Sequence, residues 1–388
     1  MANIPTYDAV IIGGGPAGST CAHALVKAGL NTLVVDSARF PRVKLCAGWI
    51  SPPIWAVLDL LPEAYTGGLW PWRRIHVHFH GKKYKIRSKG YFIRRYEFDE
   101  FLLKRSRARV VEDHHVRQIE KDAEGYWLID GEFRARYLIG AGGSHCPVAR
   151  ALFPKPENDQ CGTQEKEFEG NPDEIAACRA GADGEPQVLL HDNLGGYSWN
   201  IPKGSWLNIG SGTKIARAVV PAWSEARAFF EGNDGTGNIP VASRPELDKM
   251  KGHGYRVFDP KCLEHCRLDG AFLIGDALGV AQPLTGEGIL PAVLSGKLCA
   301  DAIIGGAPES YARRMTGHPL FREYRLLHNL LAWEQQRSGG KPKNARPSRL
   351  RDWLVVQGFA WLFGAKRVPA GWLLVKLLRL NPNPFYQD

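Results

Sequence analysis

The chain has 388 residues, which is enough for two or three domains and a sizeable core. Hydrophobic residues make up 44% and charged residues 23% of the sequence, a composition that excludes an intrinsically disordered protein. Eight cysteines are too few for a disulfide framework, the first residues do not resemble a signal peptide, and no apolar stretch is long enough to span a membrane. We therefore expect a cytoplasmic protein.

The net charge of +10 is concentrated in two parts of the chain. Residues 73–109 contain 13 lysines and arginines against three acidic residues, and residues 321–388 contain 12 against four. Such clusters predict a positive surface, which attracts nucleic acid, anionic membranes or anionic substrates. Charge alone does not distinguish these partners.

The N-terminal region predicts a β-α-β unit. A buried strand at residues 7–12 is followed by glycines, a helix and a second buried strand at residues 31–36. The glycines follow the pattern GxGxxG, which lets backbone N–H groups approach a pyrophosphate at the helix N-terminus. An aspartate at the end of the second strand is placed to accept both hydroxyls of an adenosine ribose. The predicted cofactor contacts of this unit are Gly13, Gly15, Pro16, Ala17, Gly18 and Asp36.

A second motif lies far downstream. A strand ends in Gly-Asp, and a loop rich in Pro and Gly at residues 283–288 then opens another helix. This arrangement resembles the second FAD motif of the glutathione-reductase-type flavoproteins. The resemblance implies a non-covalently bound FAD whose ribityl chain is bound by the aspartate and whose pyrimidine edge faces the helix N-terminus. It gives as cofactor contacts Gly275, Asp276, Gly286, Gly288 and Ile289.

A third element resembles the R-x-x-F-D signature of the same superfamily, with Arg95, Phe98 and Asp99 at its fixed positions. The resemblance implies that Arg95 braces the ribose and phosphates of FAD. The alternative is that Arg95 is one more charge in a basic stretch. Residues 98–108 are predicted to be helical, and Val116, which we expect in the strand after that helix, matches the position whose backbone meets the adenine.

Two further segments resemble the geranylgeranyl reductase family, which is related to flavin-dependent monooxygenases and halogenases. Residues 41–48 resemble its Lys-x-Cys-Gly segment, and residues 195–204 resemble its Y-x-W-x-F-P-K-G strand, although some halogenases carry a similar W-x-I-P element. The similarity covers roughly residues 7–310. It implies that Cys46, Ala47 and Gly48 lie beside the flavin.

The resemblance also names candidate catalytic residues, each with an alternative. Cys46 is a proton donor or tunes the flavin, or else it is a small buried hydrophobe. Tyr197 and Trp199 line a lipid pocket, or they belong to ordinary core packing. Glu287 relays protons, or it favours the helix N-terminus as an acidic residue in the first turn.

The sequence departs from the family at residues 141–143. The related hydroxylases have an aspartate there that helps to hold FAD and NAD(P)H, and this chain has Ala-Gly-Gly instead. NAD(P)H is one candidate electron donor, and the missing aspartate argues against it. The other is a ferredoxin, a reduced quinone or a second flavin.

No metal site is predicted. His76, His78 and His80 share one face of a strand and are interpreted as a solvent-facing strip. Cys262, His265 and Cys266 have no second pair of Cys or His residues in sequence, so they do not indicate a zinc site.

The predicted fold class is α/β, with a Rossmann-type FAD-binding domain interrupted by an antiparallel β substrate domain and followed by a basic, apolar helical segment. The FAD domain is assigned to residues 1–70, 96–153 and 267–310, and the substrate domain to residues 71–95 and 154–266. The C-terminal segment is assigned to residues 311–388.

The C-terminal segment contains short apolar pieces with tryptophans and flanking cations, among them Trp361, Phe363 and Trp372. This pattern is typical of an interfacial membrane anchor, and equally of a lid over an apolar pocket or of a dimer interface. The expected partners are an apolar or isoprenoid-lipid substrate, an electron-donor protein and the anionic inner face of a membrane. Nucleic acid is not expected.

The resemblance implies an FAD-dependent reductase that saturates C=C bonds of an isoprenoid or similar apolar substrate. The alternatives are a flavin-dependent monooxygenase or halogenase, and a non-catalytic flavin electron carrier.

Overall fold

The structure is a computed structural model, and it describes residues 4–157, 160–173, 175–176, 185–231, 247–338, 350, 352–353 and 355–356. Its helices are α1 (Pro16–Lys27), α2 (Pro53–Leu58), α3 (Arg95–Ser106), α4 (Pro147–Leu152), α5 (Val219–Glu231), α6 (Ile289–Ile304), α7 (Tyr311–Gly317) and α8 (Pro319–Ser338). Its strands are β1 (Thr6–Ile12), β2 (Thr32–Val35), β3 (Trp49–Ile50), β4 (Leu69–Phe79), β5 (Lys82–Ile93), β6 (Arg109–Val111), β7 (Ile119–Lys121), β8 (Trp127–Ile129), β9 (Phe133–Gly140), β10 (Cys161–Glu169), β11 (Gln187–Leu190), β12 (Gly196–Lys203), β13 (Trp206–Thr213), β14 (Lys251–Tyr255), β15 (Arg267–Leu268) and β16 (Ala271–Leu273).

The first sheet contains the parallel strands predicted for a Rossmann-type domain. Its strand order is β15-β16-β9-β1-β2-β6, and β7 and β8 extend it beside β9. Strand β1 is parallel to both β2 and β9, so the carboxyl ends of the three strands lie at one edge of the sheet. All four residues of β2 are buried, as the continuous apolar run predicts for a strand that is covered on both faces.

The second sheet is almost entirely antiparallel and has the order β14-β10-β13-β12-β11-β4-β5-β3. The two hairpins predicted from sequence, β4–β5 and β12–β13, are both present in it. The α/β fold class is therefore confirmed. The domain boundaries stay a prediction, and Trp49–Ile50, which they assign to the FAD domain, pairs with β5 of the second sheet.

The two faces of the second sheet differ in what covers them. We call the face that carries Tyr197, Trp199 and Ile201 the front face, and it holds an apolar cluster that includes Trp49 and Trp72. The opposite face, the back face, is covered by α5, whose side chains pack against Leu207 and Ile209 in a separate cluster. Alternation along β12 thus directs the residues of the Y-x-W motif away from α5.

The prediction of a solvent-facing histidine strip is wrong. His76 and His78 lie on the back face and are only 3% and 4% exposed, and Phe229 of α5 packs edge-on against His78. The ring of His76 lies 3.0 Å from a carboxylate oxygen of Glu185. These histidines are buried and hydrogen-bonded, and among the described residues no group of His, Cys, Asp or Glu is arranged to hold a metal ion.

The C-terminal segment divides between the two sheets: Tyr311, Met315 and Phe321 of α7 and α8 belong to the core cluster of the first sheet, whereas the described residues near position 356 pack on the second sheet. Val356 is fully buried in the front-face cluster, and the buried carboxylate of Asp352 lies 3.0 Å from Nδ1 of His80. The residues proposed as membrane contacts, Trp361, Phe363 and Trp372, lie outside the described residues. Within the described ranges, no helix has both the length and the apolar character needed to cross a bilayer.

Candidate active site between the two sheets

The glycine loop connects β1 to α1 at the carboxyl edge of the first sheet. Gly13 has a φ of 115°, and a Cβ at Gly18 would overlap the carbonyl oxygen of Gly13, so neither position accepts a side chain. Pro16 occupies the first turn of α1, and no side chain of the described residues caps its N-terminus. Such a helix end can accept an anion through its backbone N–H groups.

Asp36 follows β2 at the same edge of the sheet and is 8% exposed. One carboxylate oxygen accepts the N–H of Gly14 at 2.6 Å and the other accepts the N–H of Ala38 at 2.9 Å. Each oxygen keeps a second lone pair, which is the capacity that two ribose hydroxyls need. Asp36 therefore lies where the sequence predicts it, directly beside the glycine loop.

Val116 does not lie in a strand, which corrects the prediction. The strand after α3 is β6 and ends at Val111, and Val116 lies in the loop before β7. This loop is tied to Asp36, whose carbonyl oxygen accepts the N–H of His114 at 3.0 Å. The half-buried Val116 therefore remains close to the predicted adenosine end of the site.

A buried ion cluster connects the glycine loop to the segment around Cys46. Arg95 binds both carboxylate oxygens of Asp99, at 2.5 and 2.6 Å, and Arg42 approaches the same carboxylate at 3.2 Å. The Arg42 guanidinium also lies within 3.4 Å of the space that a Cβ of Gly15 would occupy. The sequence reasoning missed Arg42, although its position four residues before Cys46 in the Lys-x-Cys-Gly segment was the available signal.

The Lys-x-Cys-Gly segment lies across the front face of the second sheet. The Cys46 N–H donates a short hydrogen bond to a carboxylate oxygen of Glu165 on β10, and its carbonyl oxygen accepts from the Asn208 amide at 3.3 Å. The N–H of Gly48 lies 3.4 Å from the Cys46 sulfur. Burial raises the pKa of this thiol and the nearby Arg95 opposes that rise, so the sulfur is protonated at neutral pH.

Two basic groups lie beside the same segment. Nζ of Lys44 lies 2.8 Å from Nε2 of His253 on β14. Burial lowers the pKa of Lys44 and attraction to Asp276 opposes this, while burial lowers the pKa of His253 to about 4. Asp276, the acidic residue of the second motif, therefore lies near Lys44 and His253, and so close to strand β14 of the second sheet.

The loop before α6 is anchored to the front face by two tyrosines. The Tyr197 hydroxyl donates to the Thr285 carbonyl at 2.5 Å, and a Cβ at Gly286 would overlap the Tyr255 hydroxyl. Glu287 accepts a hydrogen bond from Ser51 at 2.8 Å, and burial raises its pKa to about 7. Tyr197 and Glu287 thus lie together at this loop.

Trp199 follows Tyr197 on the front face, with 5.8 Å between the two ring centroids. Its indole N–H donates to Asn208 at 2.7 Å, and its side chain is 5% exposed. The same Asn208 binds the Cys46 carbonyl, so one side chain positions both residues. The structure therefore brings Cys46, Tyr197 and Trp199 together on the front face. We call the site that these three residues define the cleft.

These residues fit an FAD that extends along the edge of the first sheet. The uncapped α1 N-terminus and the glycine loop would hold its pyrophosphate, and Asp36 its adenosine ribose. The remaining predicted contacts flank the cleft: Ala47 and Gly48 belong to the segment on the front face, Gly275 and Asp276 follow β16, and Gly288 and Ile289 begin α6. When bound, FAD supplies hydride transfer.

We predict that Asp36→Ala weakens FAD binding by about 2 kcal/mol, or roughly 30-fold in Kd, because charge-assisted ribose contacts are lost. The measurement is fluorescence titration of the apoprotein with FAD. Asp59→Ala, which removes an exposed carboxylate on the same domain, is the matched control. Equal FAD affinity in the Asp36 variant and the wild type would contradict this prediction.

We predict that Cys46→Ala lowers turnover roughly 10-fold, since reacting groups in a loosened site are positioned less well. FAD affinity should stay within about twofold of the wild type, because the backbone bonds of residue 46 are kept. Steady-state kinetics and FAD titration measure the two effects separately. Cys262→Ala, in a partly buried segment away from the cleft, serves as control. Unaltered kinetics would indicate that Cys46 is only a small buried residue that fills space.

Comparison with known proteins agrees with this geometry. A family model described as an NAD(P)-binding Rossmann-like domain matches residues 11–43, which contain the glycine loop and Asp36. A protein of Methanosarcina barkeri, described as uncharacterized, is 30% identical over 331 residues, covering 78% of this chain and 76% of the relative. Digeranylgeranylglycerophospholipid reductase 1 of Methanopyrus kandleri is 28% identical over 323 residues, covering 78% of this chain and 82% of that protein.

The fold also matches solved structures. A geranylgeranyl bacteriochlorophyll reductase-like protein of Thermoplasma acidophilum superposes with a TM-score of 0.61 at 21% identity, covering 98% of this chain and 93% of that one. This likeness confirms the two-sheet architecture. Together with the relatives that align along most of the sequence, it confirms the resemblance found in the motifs: the chain belongs to the geranylgeranyl reductase family of FAD-dependent oxidoreductases.

Proposed function

We propose that this protein reduces C=C bonds of an isoprenoid chain or a similar apolar substrate. The observation that carries the proposal is the front-face cluster, a set of buried apolar side chains along the second sheet against which Ala47, the neighbour of Cys46, is packed. An apolar chain needs such a surface, because burying its methylene groups is the main source of its binding energy. The digeranylgeranylglycerophospholipid reductases in the same family act on lipids of this class, as their name states.

The residues of the cleft have distinct roles in this proposal. Trp199 and Tyr197 hold the alkene, since their hydrogen bonds to Asn208 and Thr285 fix both rings before substrate arrives. Cys46 fills the space beside the reacting carbons with a neutral thiol. Glu287, hydrogen-bonded to Ser51 and with a pKa near neutrality, relays protons into the cleft.

Two electron donors are compatible with the proposal. The glycines at residues 142–143 stand where related hydroxylases have an aspartate that helps to hold NAD(P)H, which favours a donor protein such as a ferredoxin. A row of exposed cations on β5 supports the same donor, since it would attract an acidic protein surface. The members of this row are Lys83, Lys85, Arg87 and Lys89.

The test of the reaction is anaerobic. We expect the photoreduced holoenzyme to be reoxidised by a polyprenyl lipid, with loss of one C=C bond per flavin. Rapid reoxidation by oxygen through an oxygenated flavin, with no response to the lipid, would instead identify a monooxygenase or halogenase. Failure to react with either would identify an electron carrier. Parallel reduction by NADPH or by reduced ferredoxin distinguishes the two donors.

We propose further that the C-terminal segment, including α8, meets the surface of an anionic membrane. Leu326, Leu330 and Trp333 recur at helical spacing on α8, and their exposed fractions are 41%, 36% and 57%. Trp353, in the described part of the C-terminal segment, is 39% exposed. Exposed apolar residues in a part of the sequence that is rich in cations are what interfacial binding requires. Such a location would give the enzyme access to a substrate dissolved in lipid.

We expect the protein to sediment with anionic vesicles at low salt. Each cation near such a surface is worth about 1 kcal/mol. Binding should fall as the Debye length shrinks from about 30 Å at about 0.01 M salt to about 8 Å at about 0.15 M. Leu330→Ser with Trp333→Ser should reduce binding, whereas Leu268→Ser, at an exposed apolar position on the edge strand β15 of the first sheet, should not. If the wild-type protein does not bind these vesicles at low salt, the membrane proposal is wrong.

A further inference from the structure

Glu165 is a buried carboxyl group in contact with the Lys-x-Cys-Gly segment. It lies on β10, is 3% exposed, and accepts the backbone N–H of Cys46 through Oε1. The other oxygen, Oε2, is buried and has no hydrogen-bond partner among the described residues. A buried polar atom without a partner is costly unless the group has a further use. The sequence motifs give no indication of Glu165.

The sheet register places Glu165 beside the substrate residues. Glu165 is paired with Gly210 on β13, and Gly210 is paired with Trp199 on β12, so all three point to the front face. A Cβ at Gly210 would lie 2.5 Å from the Trp199 ring and 2.7 Å from the Cβ of Glu165. The absence of a side chain at Gly210 therefore lets the indole lie directly against Glu165.

The charged and titratable groups around Glu165 come from its own strand and from four other parts of the chain. Lys203 on β12 and Arg95 on α3 attract its negative form, and Glu167 on its own strand repels it. The Cys46 thiol lies on the segment that Glu165 binds, and Lys251 on β14 is its exposed register partner. The nearest cation is partly engaged, because the buried Lys203 amine donates to Glu167 at 2.6 Å and to the Ile93 carbonyl at 3.0 Å.

We propose that Glu165 is the acid that supplies the proton consumed in the reduction. This inference rests on the proposed function. In that reaction one alkene carbon receives a hydride, which is two electrons and one proton, from the reduced flavin. The other carbon receives a proton from the Glu165 carboxyl group. The N–H bond of the reduced flavin, the C=C π bond and the O–H bond would break, two C–H bonds would form, and the flavin would be left oxidised by two electrons. A carboxylate would remain at Glu165 and regain its proton from water.

The surroundings suit both states of this acid. Burial raises the pKa of Glu165 to about 7, so the carboxyl group carries a proton below neutral pH and can release it near neutrality. Lys203 and Arg95 then stabilise the carboxylate that is left. Glu287 differs in geometry, because its described hydrogen bond is to Ser51 and no contact joins it to Cys46 or Trp199 among those described. Glu165 is therefore the acid that adjoins the front-face cluster.

The experiment compares the wild-type holoenzyme with Glu165→Gln, which keeps the shape and the oxygen that accepts the Cys46 N–H. Infrared difference spectra at pH 6 should show a carboxylic acid C=O band in the wild type that is absent from the variant, shifts in D2O and fades as the pH rises through about 7. Reoxidation of the photoreduced flavin by a polyprenyl lipid should slow by about 100-fold or more. Glu169→Gln, on the same strand, is the control and should match the wild type.

Flavin absorbance and FAD titration establish that the variant is folded and loaded. Either of two results overturns the inference: no band that the variant loses, or reoxidation of the variant at the wild-type rate with the wild-type solvent isotope effect. A wild type that shows the band but does not react with any alkene overturns the proposed function instead. The infrared band and the alkene reaction therefore fail separately.

Discussion

The active-site cleft depends on one buried carboxylate, Asp99, and the two arginines that it holds. A buried charge must be paired, and Asp99 is fully buried with Arg95 bound to both of its oxygens and Arg42 at 3.2 Å. Arg42 reaches the glycine loop and Arg95 lies near the Cys46 thiol. Asp99 thus fixes the distance between the two ends of the predicted cofactor site, although it contacts neither end itself. Removing Asp99 would leave the guanidinium groups of Arg42 and Arg95 without the carboxylate that pairs them.

Local patterns were sufficient to predict the fold class and the cofactor end of the site. The strand, the glycines and Asp36 lie within one β-α-β unit, so their geometry is set by neighbours in sequence. The hairpins β4–β5 and β12–β13 are likewise local. Helix α3 begins at Arg95, and this puts Arg95 and Asp99 of the R-x-x-F-D signature one turn apart on the same side.

The remaining parts of the site arise from contacts between distant segments, which single-sequence patterns do not encode. Glu165 is 119 residues from Cys46, and its burial depends on the pairing of β10 with β13. The prediction of an exposed histidine strip was wrong for the same reason. Alternation on β4 predicts two faces, but it does not show that α5 packs against the back face of the sheet. The prediction for Val116 was wrong for a different reason. Strand β6 is short and ends at Val111, so Val116 lies in the loop that follows it.

The electrostatics of the cleft match an apolar substrate more closely than an anionic one. Burial raises the pKa of Cys46, Glu165 and Glu287 and lowers that of Lys44, so the same loss of water drives acids and bases alike towards their neutral forms. A neutral, dry surface costs little to cover with hydrocarbon, whereas a charged one would have to lose its hydration first. The exposed cations lie elsewhere, on β5, and α8 carries its apolar stripe outward. The buried charges, such as Asp99 and Arg95, are paired, and the unpaired acids are neutral. An enzyme needs this arrangement when its substrate is a lipid chain and its reaction consumes a proton.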